Sequence, residues 1–331
     1  MIDERKLDYL EAIREAIFQE MERNERIIVL GEDVEFGGFF SATEGLKERF
    51  GTRVRNTPIS ESAFLGAAVG AAIHGLQPIV ELLYVDFVGV CFDMVLNHLS
   101  KIHYMSGGTV SVPLVLRAAV GGGYQNSATH SQTLWGTFAH LPGLKVVAPA
   151  TPYDAKGMLI EAIRSKDPVI FLEHKMLYNV VIMTYGVSGP VPEERYTVPF
   201  KACLRREGSD LSIITLSLMV HRAEEAAEEL AKENIDVEIL DLRTLVPLDR
   251  DAIIRTAQKT GRVLVVDEDY QGFGLTGEIA ATLLEHDPAI IQAFQRLAVP
   301  DVPLPVSRVL EEAILPNSEK IQEAAKNLVQ S

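Results

Sequence analysis

The chain of 331 residues is poor in cysteine and in basic side chains, and each shortage narrows the possibilities. Cys91 and Cys203 are its two cysteines; they lie far apart, and each has apolar neighbours. This arrangement predicts reduced thiols in the interior of a cytoplasmic protein and argues against a disulfide framework or a cysteine-based metal site. Lys and Arg number 31 against 46 Asp and Glu, a net charge of −15, which argues against a nucleic-acid partner.

Long apolar runs are also missing. No run approaches the roughly 20 residues that cross a bilayer, so no membrane partner is expected. The start of the chain is charged, from Asp3 to Lys6, and predicts no secretory leader. Hydrophobic residues nevertheless make up 47% of the chain, enough for large cores, and the length suggests two domains or one large one.

Strand and helix patterns alternate through the first half of the chain. Apolar strands are predicted at residues 27–30, 78–84, 113–117, 145–148 and 169–172, and helices at 7–23, 62–74, 87–105 and 153–164. Near-continuous apolar strands that alternate with helices are typical of a parallel sheet covered on both faces.

Glycine and proline are concentrated between residues 185 and 200, which indicates a linker or an extended crossing segment. A second α/β pattern follows, with strands at 211–215, 237–240 and 263–266 and helices at 222–233 and 276–285. We therefore predict two parallel-sheet α/β domains, at residues 1–185 and 204–331, joined by a linker at 186–203.

Glu61 is the most conspicuous polar residue, because the thirteen residues after it are nearly all small or apolar. They predict a helix that is buried on most sides, and its N-terminus favours a negative charge. Partial burial disfavours the charged form of a carboxyl group, which suits proton transfer near neutral pH. The plainer interpretation is a Ser60 N-cap followed by an acidic first turn.

Eight stretches, spread almost from end to end, resemble the beta subunit of thiamine-diphosphate-dependent 2-oxo acid dehydrogenases. That subunit belongs to the decarboxylating component of pyruvate, branched-chain 2-oxo acid and acetoin dehydrogenase complexes. The stretches are LGEDV (30–34), TPISE (57–61), YMSGG (104–108), HSQ (130–132), PGLKVV (142–147), YDAKG (153–157), FLEH (171–174) and DLRTL (241–245). The resemblance implies a pyrimidine-binding α/β domain followed by a domain of the transketolase C-terminal type.

The resemblance also implies roles for individual residues. Glu61 would hydrogen-bond a ring nitrogen of the cofactor's aminopyrimidine and favour the imino tautomer that activates thiamine diphosphate. Leu83 and Phe87 would pack around that ring, whereas the sequence without the resemblance favours plain core positions for both. His130, in a polar loop that begins at the glycines 121–123, would lie in the active-site channel and assist acyl transfer to a lipoyl disulfide.

The same resemblance implies two metal ions, potassium and magnesium. Potassium would be held by backbone carbonyls around Leu114 and the helix end at Ala162, Ile163, Ser165 and Asp167, where a plain helix terminus is the alternative. Magnesium is held in thiamine enzymes by a Gly-Asp-Gly run beside the diphosphate, and the sequence has no such run. The diphosphate half of the site would therefore come from an alpha subunit in an α2β2 assembly.

The sequence thus predicts an enzyme that is active only with its alpha subunit. It would oxidatively decarboxylate a 2-oxo acid, or cleave acetoin, and pass the acyl group to a lipoyl-bearing acyltransferase core. One rival is a single-chain enzyme of the transketolase type, which the missing diphosphate motif disfavours. The other is a noncatalytic scaffold or regulatory homologue, which the presence of both Glu61 and His130 disfavours. Pyruvate, branched-chain acids and acetoin all stay open as substrates.

Overall fold

The computed structural model describes residues 5–180 and 185–330. These residues form two compact units. The first comprises the described parts of Met1–Val120 and Thr137–Pro199, and the second comprises Gly121–Gly136 with the described part of Phe200–Ser331. Each unit contains a largely parallel sheet with helices, which confirms the predicted fold class. Residues 121–136 group with the second unit, whereas the boundaries at 185 and 204 stay a prediction.

The first unit is built on parallel strands. Its strands are β1 (Lys6–Asp8), β2 (Ile27–Gly31), β3 (Val54–Asn56), β4 (Gln77–Tyr84), β5 (Val115–Val120), β6 (Lys145–Val147), β7 (Val169–His174) and β8 (Ser188–Pro190). Six of them run parallel in the order β6-β7-β5-β4-β2-β3. Strands β1 and β8 form a separate antiparallel pair. β5 and β7 are buried along their whole length, as the unbroken apolar runs predict.

Helices follow most of these strands. They are α1 (Tyr9–Arg23), α2 (Leu46–Phe50), α3 (Glu61–Ile73), α4 (Val88–Asp93), α5 (Ile102–Met105), α6 (Trp135–Ala139) and α7 (Pro152–Arg164). α1 begins two residues later than predicted because Asp8 caps it. The Asp8 carboxylate accepts the Glu11 N–H at 2.7 Å, and the Glu11 carboxylate accepts the Asp8 N–H at 2.8 Å.

The prediction of a single helix at residues 87–105 is wrong. The structure has α4, a π-helical turn at Met94–Leu99 and the short α5 instead. The Ser100 hydroxyl donates to the Leu96 carbonyl at 2.6 Å, while the Ser100 N–H donates one residue further back, to Val95 O at 3.2 Å. A hydroxyl that takes the carbonyl four residues back disturbs regular α-helical bonding, and π-turns form at such places.

The second unit has its own sheet. The strands in residues 200–330 are β9 (Cys203–Arg206), β10 (Leu211–Thr215), β11 (Val237–Asp241), β12 (Thr244–Val246), β13 (Arg262–Tyr270) and β14 (Ala293–Val299), and all but β12 belong to this sheet. Five of them lie in the order β14-β13-β10-β11-β9, parallel except for the edge strand β9. The helices are α8 (Leu218–Lys232), α9 (Arg250–Thr260), α10 (Leu275–His286), α11 (Arg308–Ile314) and α12 (Ser318–Gln330). The strand order reverses between β10 and β13, as in doubly wound folds.

The two cysteines have different surroundings. Cys91 is buried, and burial, followed by the negative charge of Glu61, raises the pKa of its thiol to about 11. Cys203 is only half-buried, on the edge strand β9, so the prediction of an interior thiol is wrong for this residue. Both are free thiols within the part of the chain that the structure describes. In residues 5–180 and 185–330 no helix has the length and apolar character needed to span a bilayer.

Candidate active site

Glu61 is the first residue of α3 and follows a short turn after β3. Its side chain is buried, with 8% of its surface exposed, and the N-terminus of α3 favours its negative charge. Ser60 occupies the N-cap position, but among the described residues its hydroxyl makes no capping hydrogen bond to α3. The capping interpretation therefore loses its main contact, while the predicted buried carboxyl group at the start of an apolar helix is present.

A second carboxyl group lies close to Glu61. Glu32 directly follows β2, and the carbonyl of its neighbour Gly31 accepts the Thr57 N–H at 2.9 Å. Burial raises the pKa of Glu32, and the charge of Glu61 raises it further. Because β2 and β3 are adjacent and parallel, their carboxyl ends bring the two acids together. The site therefore has a carboxyl group of raised pKa beside Glu61.

Apolar side chains lie at the same edge of the sheet. Leu83 is half-buried near the carboxyl end of β4, the strand beside β2, and it lines a recess together with Phe40 and Tyr178. Phe87, also half-buried, follows β4, and its ring centre lies 6.0 Å from that of Tyr84. Glu81, Arg117 and Glu173 also line the recess, so it combines apolar and aromatic walls with charged groups.

The same region contains an incompletely satisfied polar atom. The hydroxyl oxygen of Thr57, in the turn that leads to Glu61, is buried and has no hydrogen-bond partner among the described residues. Buried polar atoms are nearly always hydrogen-bonded in folded proteins, so a missing partner is expected to be a water or a ligand. The hydroxyl of Thr57 and the carboxyl group of Glu61 are polar groups of the kind that an aminopyrimidine ring could hydrogen-bond.

A buried ion network supports the strand that carries Leu83. The Arg117 guanidinium, on β5, donates to Glu81 on β4 at 2.8 Å and to Glu173 on β7 at 2.7 and 2.9 Å. The Tyr178 hydroxyl donates to Glu173 at 2.9 Å. Burial raises the pKa of Glu81, and the charge of Glu173 adds to this against the opposing effect of Arg117. The network links three neighbouring strands, and its four residues line the recess.

His130 lies in the loop of residues 121–134, in the second unit, where no regular secondary structure forms. The loop closes at its base, since the Gly121 N–H donates to Gln132 O at 2.9 Å. His130 is half-buried, and its ring atom Nδ1 lies 3.0 Å from the Thr129 hydroxyl. The backbone N–H of His130 donates to Ser127 O at 3.3 Å. The structure therefore places the imidazole in the polar loop that the sequence predicts.

The residues predicted to hold potassium lie at the opposite edge of the first unit's sheet, where α7 ends and β7 begins. The Leu114 carbonyl accepts the Val169 N–H at 2.9 Å, the Ala162 carbonyl accepts the Ser165 N–H at 3.1 Å, and the Ile163 carbonyl accepts the Gln77 side-chain amide at 3.4 Å.

A cation is already present at this edge. The Lys145 ammonium group lies 3.1 Å from the Ser165 hydroxyl and 2.9 Å from the Asp167 carboxylate. It therefore supplies positive charge where the ion was expected, and the fit to potassium is incomplete. Potassium stays a prediction, and no step of the chemistry is assigned to it.

Comparison with known proteins decides the family. Residues 5–181 match the family "Transketolase, pyrimidine binding domain", and residues 201–321 match "Transketolase, C-terminal domain". The chain is 47% identical to "Acetoin:2,6-dichlorophenolindophenol oxidoreductase subunit beta" of Cupriavidus necator, over 97% of both chains. It is 44% identical to "2-oxoisovalerate dehydrogenase subunit beta" and 41% identical to "Pyruvate dehydrogenase E1 component subunit beta", both of Bacillus subtilis, over 98% of this chain and 99% of each relative. The chain belongs to this family of dehydrogenase beta subunits.

A solved structure agrees on the fold. "Split gene transketolase, inactive beta4 tetramer" aligns with a TM-score of 0.78 over 97% of both chains, at 23% sequence identity. Because the alignment covers nearly all of this beta subunit, both of its units have a transketolase-like fold.

Two acidic residues of this beta subunit were not selected from the sequence. Glu32 enters the sequence analysis only within the stretch LGEDV, although its place directly after an apolar strand is a usable signal, since ligands bind at the carboxyl ends of parallel strands. Glu311, whose carboxylate accepts backbone N–H groups of the His130 loop, gave no local signal. It lies 188 residues from its partner Gly123.

Proposed function

We propose that the chain is the beta subunit of an α2β2 dehydrogenase that oxidatively decarboxylates a 2-oxo acid, or cleaves acetoin, and acylates a lipoyl group. The observation that carries the proposal is the buried Glu61 at the start of α3, in a chain related along its whole length to dehydrogenase beta subunits. The relatives' names cover acetoin, 2-oxoisovalerate and pyruvate enzymes, so all three substrate classes belong to the proposal.

Within this proposal, bound thiamine diphosphate supplies the electron sink for decarboxylation. Glu61 would share a proton with a ring nitrogen of the aminopyrimidine, and the adjacent Glu32, whose pKa is raised by burial and by the charge of Glu61, would be a second carboxyl group able to hold a proton there. Leu83 and Phe87 would form the apolar walls of the ring's site and exclude water from it. These residues account for the pyrimidine half of the cofactor site.

His130 would act in the second half of the reaction, the transfer of the acyl group to the lipoyl disulfide. Imidazole can donate and accept a proton at neutral pH, which suits protonation of a departing sulfur. The contact between Nδ1 and the Thr129 hydroxyl at 3.0 Å would fix the orientation of the ring.

An alpha subunit would complete the site with the magnesium ion and the groups that hold the diphosphate. The surface of α3 supports this partner. Although the helix is apolar all round, Ala63, Ala67 and Ile73 are exposed, and no atom lies within 4 Å of the position that a Cβ on Gly70 would take. Small residues on an exposed apolar helix face allow another backbone to approach closely.

Purification of this chain together with its alpha subunit tests the proposal. The pair should decarboxylate pyruvate or a branched-chain 2-oxo acid, or cleave acetoin, in the presence of thiamine diphosphate, magnesium and an artificial electron acceptor. Ketol transfer between sugar phosphates by this chain alone would instead support the single-chain transketolase alternative. A pair that binds the cofactor but turns over none of these substrates would support the scaffold alternative.

A further inference from the structure

The first arm of the His130 loop is held through its backbone by two buried acids of the second unit. The Gly122 N–H donates to Glu268 Oε1, on β13, at 2.7 Å. The Gly123 N–H donates to Glu311 Oε1 at 2.8 Å, and the Gln125 N–H donates to Glu311 Oε2 at 3.2 Å. One carboxylate, on α11, therefore binds two amides of the segment that leads to His130.

The second arm, where the loop joins α6, is also bound by acids, once through a side chain and once through the backbone. The Trp135 indole N–H donates to Asp267 Oδ1 at 3.1 Å, and the Gly136 N–H donates to Asp269 Oδ2 at 3.2 Å. Both aspartates lie on β13 and are buried. The loop is thus fixed at both ends. The first arm differs from the second because one of its acids, Glu311, lies on the short helix α11 rather than on β13.

Burial of Glu311 needs an explanation, since a buried carboxylate loses its hydration. Glu311 is 1% exposed, although the next residue on α11, Glu312, is exposed and pairs with Arg308 at 2.7 Å. The hydrogen bonds from Gly123 and Gln125 offset that loss, because charge-assisted bonds are the strong ones. The position of the acid therefore serves the loop.

Packing confirms that α11 and the loop are in close contact. A Cβ built on Gly122 would lie 2.9 Å from Leu315 Cδ1, just after α11, and 3.4 Å from Glu311 Oε1. A larger residue at this position would require the side chain of Leu315 to move. Gln125 and Ser127 have positive φ angles of 58° and 68°, a conformation that non-glycine residues rarely adopt and that surrounding contacts must maintain.

We propose that Glu311 is a positioning residue for His130: by binding the amides of Gly123 and Gln125, it sets the loop conformation in which the imidazole serves acyl transfer. The inference rests on the proposed role of His130. Glu311 acts through the backbone and touches no reacting atom.

The test uses the assembled α2β2 enzyme with its lipoyl-bearing acyltransferase. Glu311→Gln keeps the size of the side chain but turns an amide NH2 group toward one of the two backbone donors, and Glu311→Ala removes both bonds. Glu312→Gln, one residue along the same helix, is the matched control. Amide hydrogen exchange of residues 122–130 and two rates are measured: the lipoyl-dependent rate and the rate with an artificial electron acceptor.

We expect both Glu311 variants to exchange faster in the loop and to lose about tenfold in the lipoyl-dependent rate, the equivalent of one charge-assisted bond. The artificial-acceptor rate should change less than about twofold, and Glu312→Gln should match the parent throughout. Unchanged loop exchange in Glu311→Ala, or equal losses in the two rates, overturns the inference. If His130→Ala itself lowers both rates equally while Glu311→Gln still speeds loop exchange, the acyl-transfer role of His130 fails and the attachment of the loop by Glu311 stands.

Discussion

Arg117 and Glu173 form a two-point ion pair inside the sheet of the first unit, with Nε–Oε1 at 2.7 Å and Nη2–Oε2 at 2.9 Å. Burial alone would lower the pKa of Arg117, but the charges of Glu173 and Glu81 outweigh it and raise the pKa. The guanidinium therefore keeps its charge, and two carboxylates depend on it. The strand that carries Leu83 is tied into the sheet partly through this contact.

Replacement of Arg117 by an uncharged residue should lower the free energy of unfolding. Arg117→Met leaves Glu81 and Glu173 as neighbouring buried acids without their partner, and breaking a buried pair in this way typically costs about 3–5 kcal/mol. Chemical denaturation should show that loss in the free energy of unfolding. The exposed pair between Arg308 and Glu312 provides the control, since Arg308→Met should leave stability unchanged within error. Equal stability of the parent and Arg117→Met would show that the network carries no net energy.

Glu61→Gln tests activation of the cofactor. The amide keeps the shape of the side chain but cannot supply the carboxyl proton, so cofactor-dependent decarboxylation by the assembled enzyme should fall about 10²-fold or more. Folding and assembly should be unaffected, as checked by circular dichroism and gel filtration. Glu44→Gln, an exposed charge in the same unit, is the control and should keep parental turnover. Near-normal turnover by a well-folded Glu61→Gln enzyme would remove Glu61 from the mechanism.

The sequence predicts best what depends on neighbouring residues. The apolar strands at 27–30 and 169–172 and the start of α3 at Glu61 follow from local composition, and the structure confirms them. Contacts between distant segments give no local signal. Nothing near Arg117 shows that its charge meets acids on two other strands, and nothing near Glu311 refers to a loop 188 residues earlier.

The broken helix at residues 87–105 has a similar cause. The composition of this segment favours one long helix. The π-helical bonding that interrupts it is accompanied by one side-chain hydrogen bond, from the Ser100 hydroxyl to the Leu96 carbonyl. Strand β14 and helix α11 were missed because their sequences are less regular. β14 is mostly half-buried, and most residues of α11 are exposed. Hydrophobic periodicity therefore predicts the regular strands and helices better than the breaks within a helix or the less regular elements.

His130→Ala tests the acyl-transfer role. If the imidazole protonates the departing lipoyl sulfur, the variant should lose far more of the lipoyl-dependent rate than of decarboxylation with an artificial acceptor. The two rates are compared on the same preparation of assembled enzyme. His286→Ala, which removes an exposed imidazole elsewhere in the same unit, is the control. Equal losses in both assays would indicate a general binding or structural role for His130.

Asp267 predicts a pH dependence of stability. Burial, and then the charge of Asp269, raise the pKa of its carboxyl group to about 8, against the lowering effect of the Trp135 indole N–H. A pKa raised above the unfolded value means that the folded state binds the proton more tightly. The stabilisation is therefore complete at low pH and is lost as the pH rises toward about 8.

Asp267→Asn should remove this dependence, since asparagine keeps an acceptor for Trp135 and cannot ionise. The variant should become more stable relative to the parent by up to about 1.4 kcal/mol per pH unit between about pH 4 and 8. Denaturation series of both proteins at several pH values measure the difference, with the exposed Asp251→Asn as a control for charge removal. A difference that does not change with pH would place the proton elsewhere.

Cofactor binding should depend on the alpha subunit, because the chain has the acid and the apolar walls for the pyrimidine but no Gly-Asp-Gly run for the magnesium diphosphate. Titration calorimetry on this chain alone should give weak or undetectable binding of thiamine diphosphate, with or without magnesium. Addition of the alpha subunit should produce tight, magnesium-dependent binding. A ligand that binds only the assembled state also stabilises it, so the cofactor should raise the thermal midpoint of the complex and leave that of the isolated chain unchanged. Stoichiometric, magnesium-dependent binding to the isolated chain would overturn the heteromeric assignment, because one polypeptide would then supply both halves of the site.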